Sequence, residues 1–148
     1  ALSRLMDMIG QNPLMASAIR LVMAQRLVRR IKPESAEVYE PKPHVKKVVE
    51  ESLAKLPLEQ QPDMENFNYL RAKTGEGHEI PYKGRMMILE QLVMTPDMEK
   101  LISTNSMEVT TRVIQDLAIK EGMHTMLQDG LIKADQGLTT VEEVFRVT

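Results

Sequence analysis

Cysteine and tryptophan are missing from the 148 residues, and aromatic residues make up only 3% of them. Without a thiol there is no disulfide, no thiolate nucleophile and no thiolate zinc site. No apolar run approaches the roughly 18–20 residues of a membrane span. The opening ALSRLMDMIG has neither the basic start nor the apolar block of a signal peptide. These absences point to a cytoplasmic chain with no direct membrane insertion. The phosphate-loop pattern G-x-x-x-x-G-K-[ST] is also missing, so nothing here cradles a nucleotide alone by that means. TGEG at residues 74–77 reads as a turn, because no helix-opening Lys follows it.

What is present fits an ordinary globular chain, with 43% hydrophobic and 27% charged residues. Twelve methionines imply a core of Leu, Ile, Val and Met with adaptable packing. The net charge of -2 argues against a nucleic-acid binder, but it is unevenly spread. Residues 1–33 carry six basic side chains against Asp7, a balance of +5, which leaves -7 for residues 34–148. The first part is therefore suited to meeting something acidic, such as a neighbouring subunit or a phosphate.

Hydrophobic spacing predicts a mostly helical α+β chain. Helix is expected in the opening residues up to Gly10, and again from the Asn12-Pro13 cap to about Arg30. In that second helix Arg26, Arg29 and Arg30 would complement the negative end of the dipole. Residues 31–44 hold three prolines and read as a loop. The next stretch, VKKVVEESLAKL, is amphipathic, with Val45, Val48, Val49, Leu53 and Leu56 on one face. Residues 66–73 and 85–93 read as two strands of a small sheet around a long turn.

Helix returns at Thr95-Pro96-Asp97, and a capping box at Asn105 and Glu108 opens another helix that stops at Gly122. Met123, Met126, Leu127, Leu131 and Ala134 then share one helical face, ended by Gly137. Thr140 and Glu143 form a further capping box, with Val144 and Val147 turned inward.

Candidate chemistry is sparse. His44, His78 and His124 have no ligand-like spacing, so no metal site is expected. The serines lack a nucleophile-elbow context, and no catalytic residue is assigned. The adjacent acids Glu50-Glu51 and Glu142-Glu143 read as solvated helix faces. Two basic features stand out. AQRLVRR, residues 24–30, is either a dipole complement or a contact surface. YKGR, residues 82–85, puts an arginine after a glycine at a strand entrance. Arg85 there either reaches a phosphate or ribose or protects a strand edge by its charge.

AQRLVRR, YKGRMMILEQLVMT and EGMHTMLQDGLIKADQGLTTVEEVFRVT occur in the order and approximate spacing of one family. The chain resembles the C-terminal part of the secretion and pilus-assembly ATPases, those of type II secretion and type IV pilus extension. The opening LSRLMDM is similar to the stretch after that family's histidine-containing motif. The resemblance is weakest over residues 33–70.

It implies a homo-hexameric motor that hydrolyses ATP with Mg in the cytoplasm, peripheral to the bacterial inner membrane. Such motors move pilin or pseudopilin subunits through a membrane platform protein. The phosphate loop and acidic motifs would lie upstream of Ala1, and the chain, which does not begin with Met, would be a fragment inactive alone. The implied organisation is the last helices of a RecA-like domain over 1–32, an irregular lobe with a small β-sheet over 33–94, and a C-terminal helical subdomain over 95–148. Within it the cofactor-binding residue carried over is Arg85. Many relatives place paired cysteines around the middle lobe to hold zinc; IKPES and TGEGHEIP stand in those places here, so no zinc is expected. A competing reading is a non-enzymatic helical protein-interaction module.

Overall fold

A computed structural model describes residues 17–73, 80–103 and 110–148. Among them run strand β1 (Leu21–Ile31), strand β2 (Ala36–Val38), helix α1 (Pro43–Leu53), strand β3 (Leu70–Ala72) and strand β4 (Tyr82–Val93). Four helices follow: α2 (Pro96–Ser103), α3 (Thr111–Lys120), α4 (Met126–Asp135) and α5 (Val141–Val147). The fold is a mixture of helices and small sheets, in keeping with the α+β expectation.

The chain divides into two compact units. One comprises Ala1–Ala24 and Glu90–Thr125, the other Gln25–Leu89 and Met126–Thr148. The first has a core of Leu92, Met98, Ile114 and Ala118, with Val22, Leu101, Leu117 and Met123 packed against it. The second buries Val49, Leu53, Leu56, Phe67, Tyr69, Leu131, Ala134, Val141 and Val144.

The largest correction concerns residues 21–30, expected as helix and found in strand β1, paired with β4. LVMA is apolar at every position, so period alone does not separate strand from helix. Pairing with β4 decides the outcome, as tertiary context does for strands. It follows that Arg26, Arg29 and Arg30 do not complement a helix dipole. The sheet pairing differs as well. The strands expected over 66–73 and 85–93 exist as β3 and β4, but β4 pairs with β1, whereas β3 pairs with β2 inside the expected loop. That antiparallel pair sets Glu37 opposite Arg71, and the two form an ion pair at 2.7 Å.

Helix α1 buries Val49 and Leu53 as its pattern predicts, but Val48 on the same expected face stays exposed. Gly122 and Gly137 end helices as predicted, with φ of 96° and 73°. At each, the glycine N–H reaches back three residues and the next N–H five: Gly122 to Ile119, Met123 to Ala118, Gly137 to Ala134 and Leu138 to Lys133. That is the Schellman closure, which favours glycine because its backbone is left-handed. Met123 therefore belongs to no face of α4; it packs in the first unit's core while α4 starts at Met126. The capping box expected at Asn105 and Glu108 lies outside the described residues, as do the Gly10 and Asn12-Pro13 signals. Among the described residues the cap of α3 is Thr110, whose hydroxyl accepts from the Val113 N–H at 3.4 Å.

Candidate functional site

The closing stretch is built to hold the backbone of the two long strands. In α4, the Asp129 carboxylate accepts from the Leu89 N–H at 2.7 Å, and Lys133 donates to the Met87 carbonyl at 3.0 Å. Asp129 and Lys133 pair with each other at 2.6 Å across one helical turn. Between α4 and α5, the Thr139 hydroxyl donates to the Arg29 carbonyl at 2.8 Å, and the Ile31 N–H donates to the Leu138 carbonyl at 3.2 Å. Gly130 lets α4 lie close to α5, since a Cβ there would sit 2.6 Å from a Val144 methyl. Thr139 and Thr140 are fully buried, and the Thr140 hydroxyl accepts from the Glu143 N–H, which is one half of the expected capping box; the Glu143 carboxylate is engaged by arginines instead of returning to the cap.

Glu143 is where the sequence reading fails most usefully. It was expected on a solvated face but is 3% exposed. It lies three residues after buried Thr140 and one before buried Val144, on the inward face of α5. Its Oε1 accepts from Arg29 Nη2 at 2.5 Å and from Arg146 Nε at 3.1 Å. Its Oε2 accepts from the Arg29 backbone N–H at 3.1 Å and from Arg146 Nη2 at 2.9 Å. Roughly four acceptor positions are all a carboxylate offers, and all are used. Burial alone would raise this carboxyl; the hydrogen bonds from Arg29 and Arg146 outweigh it and hold the group at about 2, below its ordinary 4.5. The guanidinium of Arg29 also lies over the Tyr82 ring, 4.2 Å from its centroid.

The two arginines remain half-exposed, at 49% and 52%. Together with Leu27 and Arg85 they line an open depression of ≈ 520 Å³. Arg85 is exposed on β4, directly after Gly84, whose φ is 74°. It makes no ion pair among the described residues. A second depression, of ≈ 630 Å³, shares Leu27 and Arg146 and adds Gln25, Arg26 and Val147. The structure thus brings Arg29 and Arg85 together from the two basic sequence features and adds Arg146, which sequence reasoning passed over. Arg30 lines neither depression.

His44 and His124 contribute to no metal-capable group of three His, Cys, Asp or Glu side chains among the described residues, and His78 lies outside them. No described helix is long and apolar enough to cross a membrane.

A family model described as type II/IV secretion system protein matches residues 1–146. The chain is 38% identical over 148 residues to the type II secretion system protein E of Xanthomonas campestris, a match covering 99% of the chain and 24% of that relative. It is 34% identical to the type IV pilus assembly ATPase PilB of Thermus thermophilus, over 100% of the chain and 16% of the relative. It is 32% identical to the type II secretion system ATPase E of Vibrio cholerae, over 100% of the chain and 27% of the relative. The chain therefore spans about a quarter or less of these proteins' length.

Proposed function

This chain belongs to the type II/IV secretion system protein family, and we propose that it is the C-terminal segment of a hexameric secretion or pilus-assembly ATPase. In this reading the whole protein works in the cytoplasm at the inner membrane. It couples ATP hydrolysis to the movement of pilin or pseudopilin subunits through a membrane platform protein. The residues 1–32 close a RecA-like domain, and the phosphate loop is supplied by sequence outside these 148 residues. The segment alone turns over no ATP.

The observation that carries the reading to a residue is the position of Arg85. It stands on β4 beside an open depression, without an ion-pair partner among the described residues, and with two more guanidinium groups on the rim. Arginine suits phosphate because its charge is permanent and its donors form a planar fork. When ATP and Mg are bound, the reacting phosphoryl group carries the charge that catalysis must stabilise. The contribution of this chain is a cation that meets that charge.

Two measurements test the reading. The purified 148-residue chain is expected to show no ATP turnover, and robust hydrolysis by it sinks the proposal. Grafted in place of the matched segment of the Xanthomonas relative, the chain is expected to support turnover. There Arg85→Ala is expected to lower kcat about tenfold or more, the loss of one charged hydrogen-bond donor to the reacting group. Unchanged kcat in that variant removes Arg85 from the site.

A further inference from the structure

Arg85 does not face the depression alone. The buried Glu143 carboxylate fixes one side chain from β1 and one from α5, residues separated by more than a hundred positions in the chain. Both guanidinium groups are tied on one side and half-exposed on the other, and Arg29 is further held against Tyr82. A flexible side chain fixed in this way has less conformational freedom to lose when a ligand arrives. Three arginines less one carboxylate leave a local charge of 3 - 1 = +2 around the depression. That balance fits a multiply charged phosphate chain better than a single carboxylate.

We propose that Arg29 and Arg146 bind phosphate oxygens of a nucleoside di- or triphosphate together with Arg85, and that Glu143 is the residue that positions them. The proposal rests on the reading of Arg85 as a phosphate contact and extends it from one residue to a cluster with its own support. Each arginine keeps donors beyond those Glu143 uses, since a guanidinium carries five N–H groups. Glu143 touches no ligand; all its acceptor positions are spent on the two arginines and the β1 backbone.

The test is a titration of the isotopically labelled 148-residue chain with inorganic pyrophosphate, then with ADP, following the arginine Nε–H resonances by NMR. Pyrophosphate is expected to move Arg29, Arg85 and Arg146 with a single Kd, and ADP is expected to bind at least as well. Pyrophosphate binding without ADP binding overturns the nucleotide assignment. Arg146→Ala is expected to weaken binding about tenfold, as for a lost charged hydrogen bond. Glu143→Gln gives a test of sign. It removes a negative charge, so electrostatics alone would tighten anion binding. Positioning predicts weaker binding instead, because an NH2 donor replaces one of the two acceptor oxygens that the guanidinium groups share.

Arg146→Lys keeps the charge and removes the fork, so it decides the matter if Glu143→Gln fails to fold. It is expected to bind several-fold more weakly. Unchanged or tighter binding in a folded Glu143→Gln variant, or unchanged binding in Arg146→Lys, overturns the proposal. Shifts confined to Arg85 overturn it while leaving the Arg85 reading intact. Shifts at Arg29 and Arg146 without Arg85 remove Arg85 and keep the cluster. Absence of any binding overturns the cluster, whereas the family reading is judged separately by ATP turnover of the graft.

Discussion

Within each of the two compact units the contacts have a different range. In the first, Leu92, Met98, Ile114 and Ala118 meet within a short stretch of chain, and the helices that carry three of them follow one another directly. In the second, Val49 and Leu53 from α1 meet Leu131 and Ala134 from α4 and Val144 from α5, and the polar contacts reach further still. Glu143 binds Arg29 across 114 positions, and Thr139 binds the Arg29 carbonyl across 110. The buried core of the first unit thus comes from one stretch, residues 92–118, to which Ile19 and Val22 are added from the start of the chain. The second is closed by a terminal segment returning to strands laid down near the start of the chain.

The largest expected effect comes from the centre of the long-range unit. Leu131 is fully buried among α1, α4 and α5 side chains, so Leu131→Ala is expected to cost about 2–5 kcal/mol in urea unfolding. Ile114→Ala in the first unit is expected nearer the lower end of that range. Ile114 is 6% exposed, and methionines and leucines that are only partly buried surround it and can close the space. Equal losses at the two sites would erase the contrast.

An acid titration separates the units next. Glu143 has its carboxyl lowered in the native state, so the unfolded chain binds the proton first as pH falls. Its contribution is complete above the ordinary carboxyl value of 4.5 and is lost as pH drops toward about 2. Urea midpoints followed across that window are expected to fall in the wild type and to fall less steeply in Glu143→Gln. An identical slope in both would show that this carboxylate does not hold the terminal helix to β1.

Caps offer a smaller and more even comparison, because one threonine in each unit does the same job. Thr110 accepts from Val113 N–H at 3.4 Å on an exposed face, and Thr140 accepts from Glu143 N–H at 3.3 Å while almost fully buried. Replacing a capping threonine by alanine costs about 1 kcal/mol. Thr140→Ala is expected to exceed that and Thr110→Ala to fall short of it, by thermal or urea unfolding. The reverse order would mean that burial adds nothing to the cap.

The same division explains which features could be read from the sequence. Gly122, Gly137 and the Thr140 cap were legible because each acts over a few residues. The face of Leu127, Leu131 and Ala134 was legible because its period is local. Strand β1 was not, since LVMA satisfies either period and only the distant β4 selects one. Glu143 was hidden differently. Its place between Thr140 and Val144 on the inward face was available, but its charge suggested solvent, and of the two arginines that stabilise it inside, Arg29 lies 114 positions away. Of the candidate site, Arg85 and Arg29 were singled out as sequence features. Their meeting with Arg146 depended on that same buried carboxylate.

The smallest expected effect lies in the same unit as Glu143 and shows the opposite treatment of a buried polar group. Every acceptor position of Glu143 is filled, whereas the Tyr69 hydroxyl is buried with no hydrogen-bond partner among the described residues. Burial also pushes that phenol upward in pKa, with nearby Glu50, Glu40 and Asp135 adding to the rise. An unpaired buried donor forfeits about 1–3 kcal/mol of solvation, so the hydroxyl stabilises nothing here. The ring is the useful part: Tyr69 is 7% exposed and packs against Phe67 with centroids 4.6 Å apart. Tyr69→Phe keeps the ring and removes the orphan. It is expected to leave stability unchanged or to raise it by up to about 1 kcal/mol in urea unfolding. A loss of more than about 1 kcal/mol would mean that the hydroxyl has a bonding partner after all. The second unit would then fill its buried polar groups throughout, as it does at Glu143.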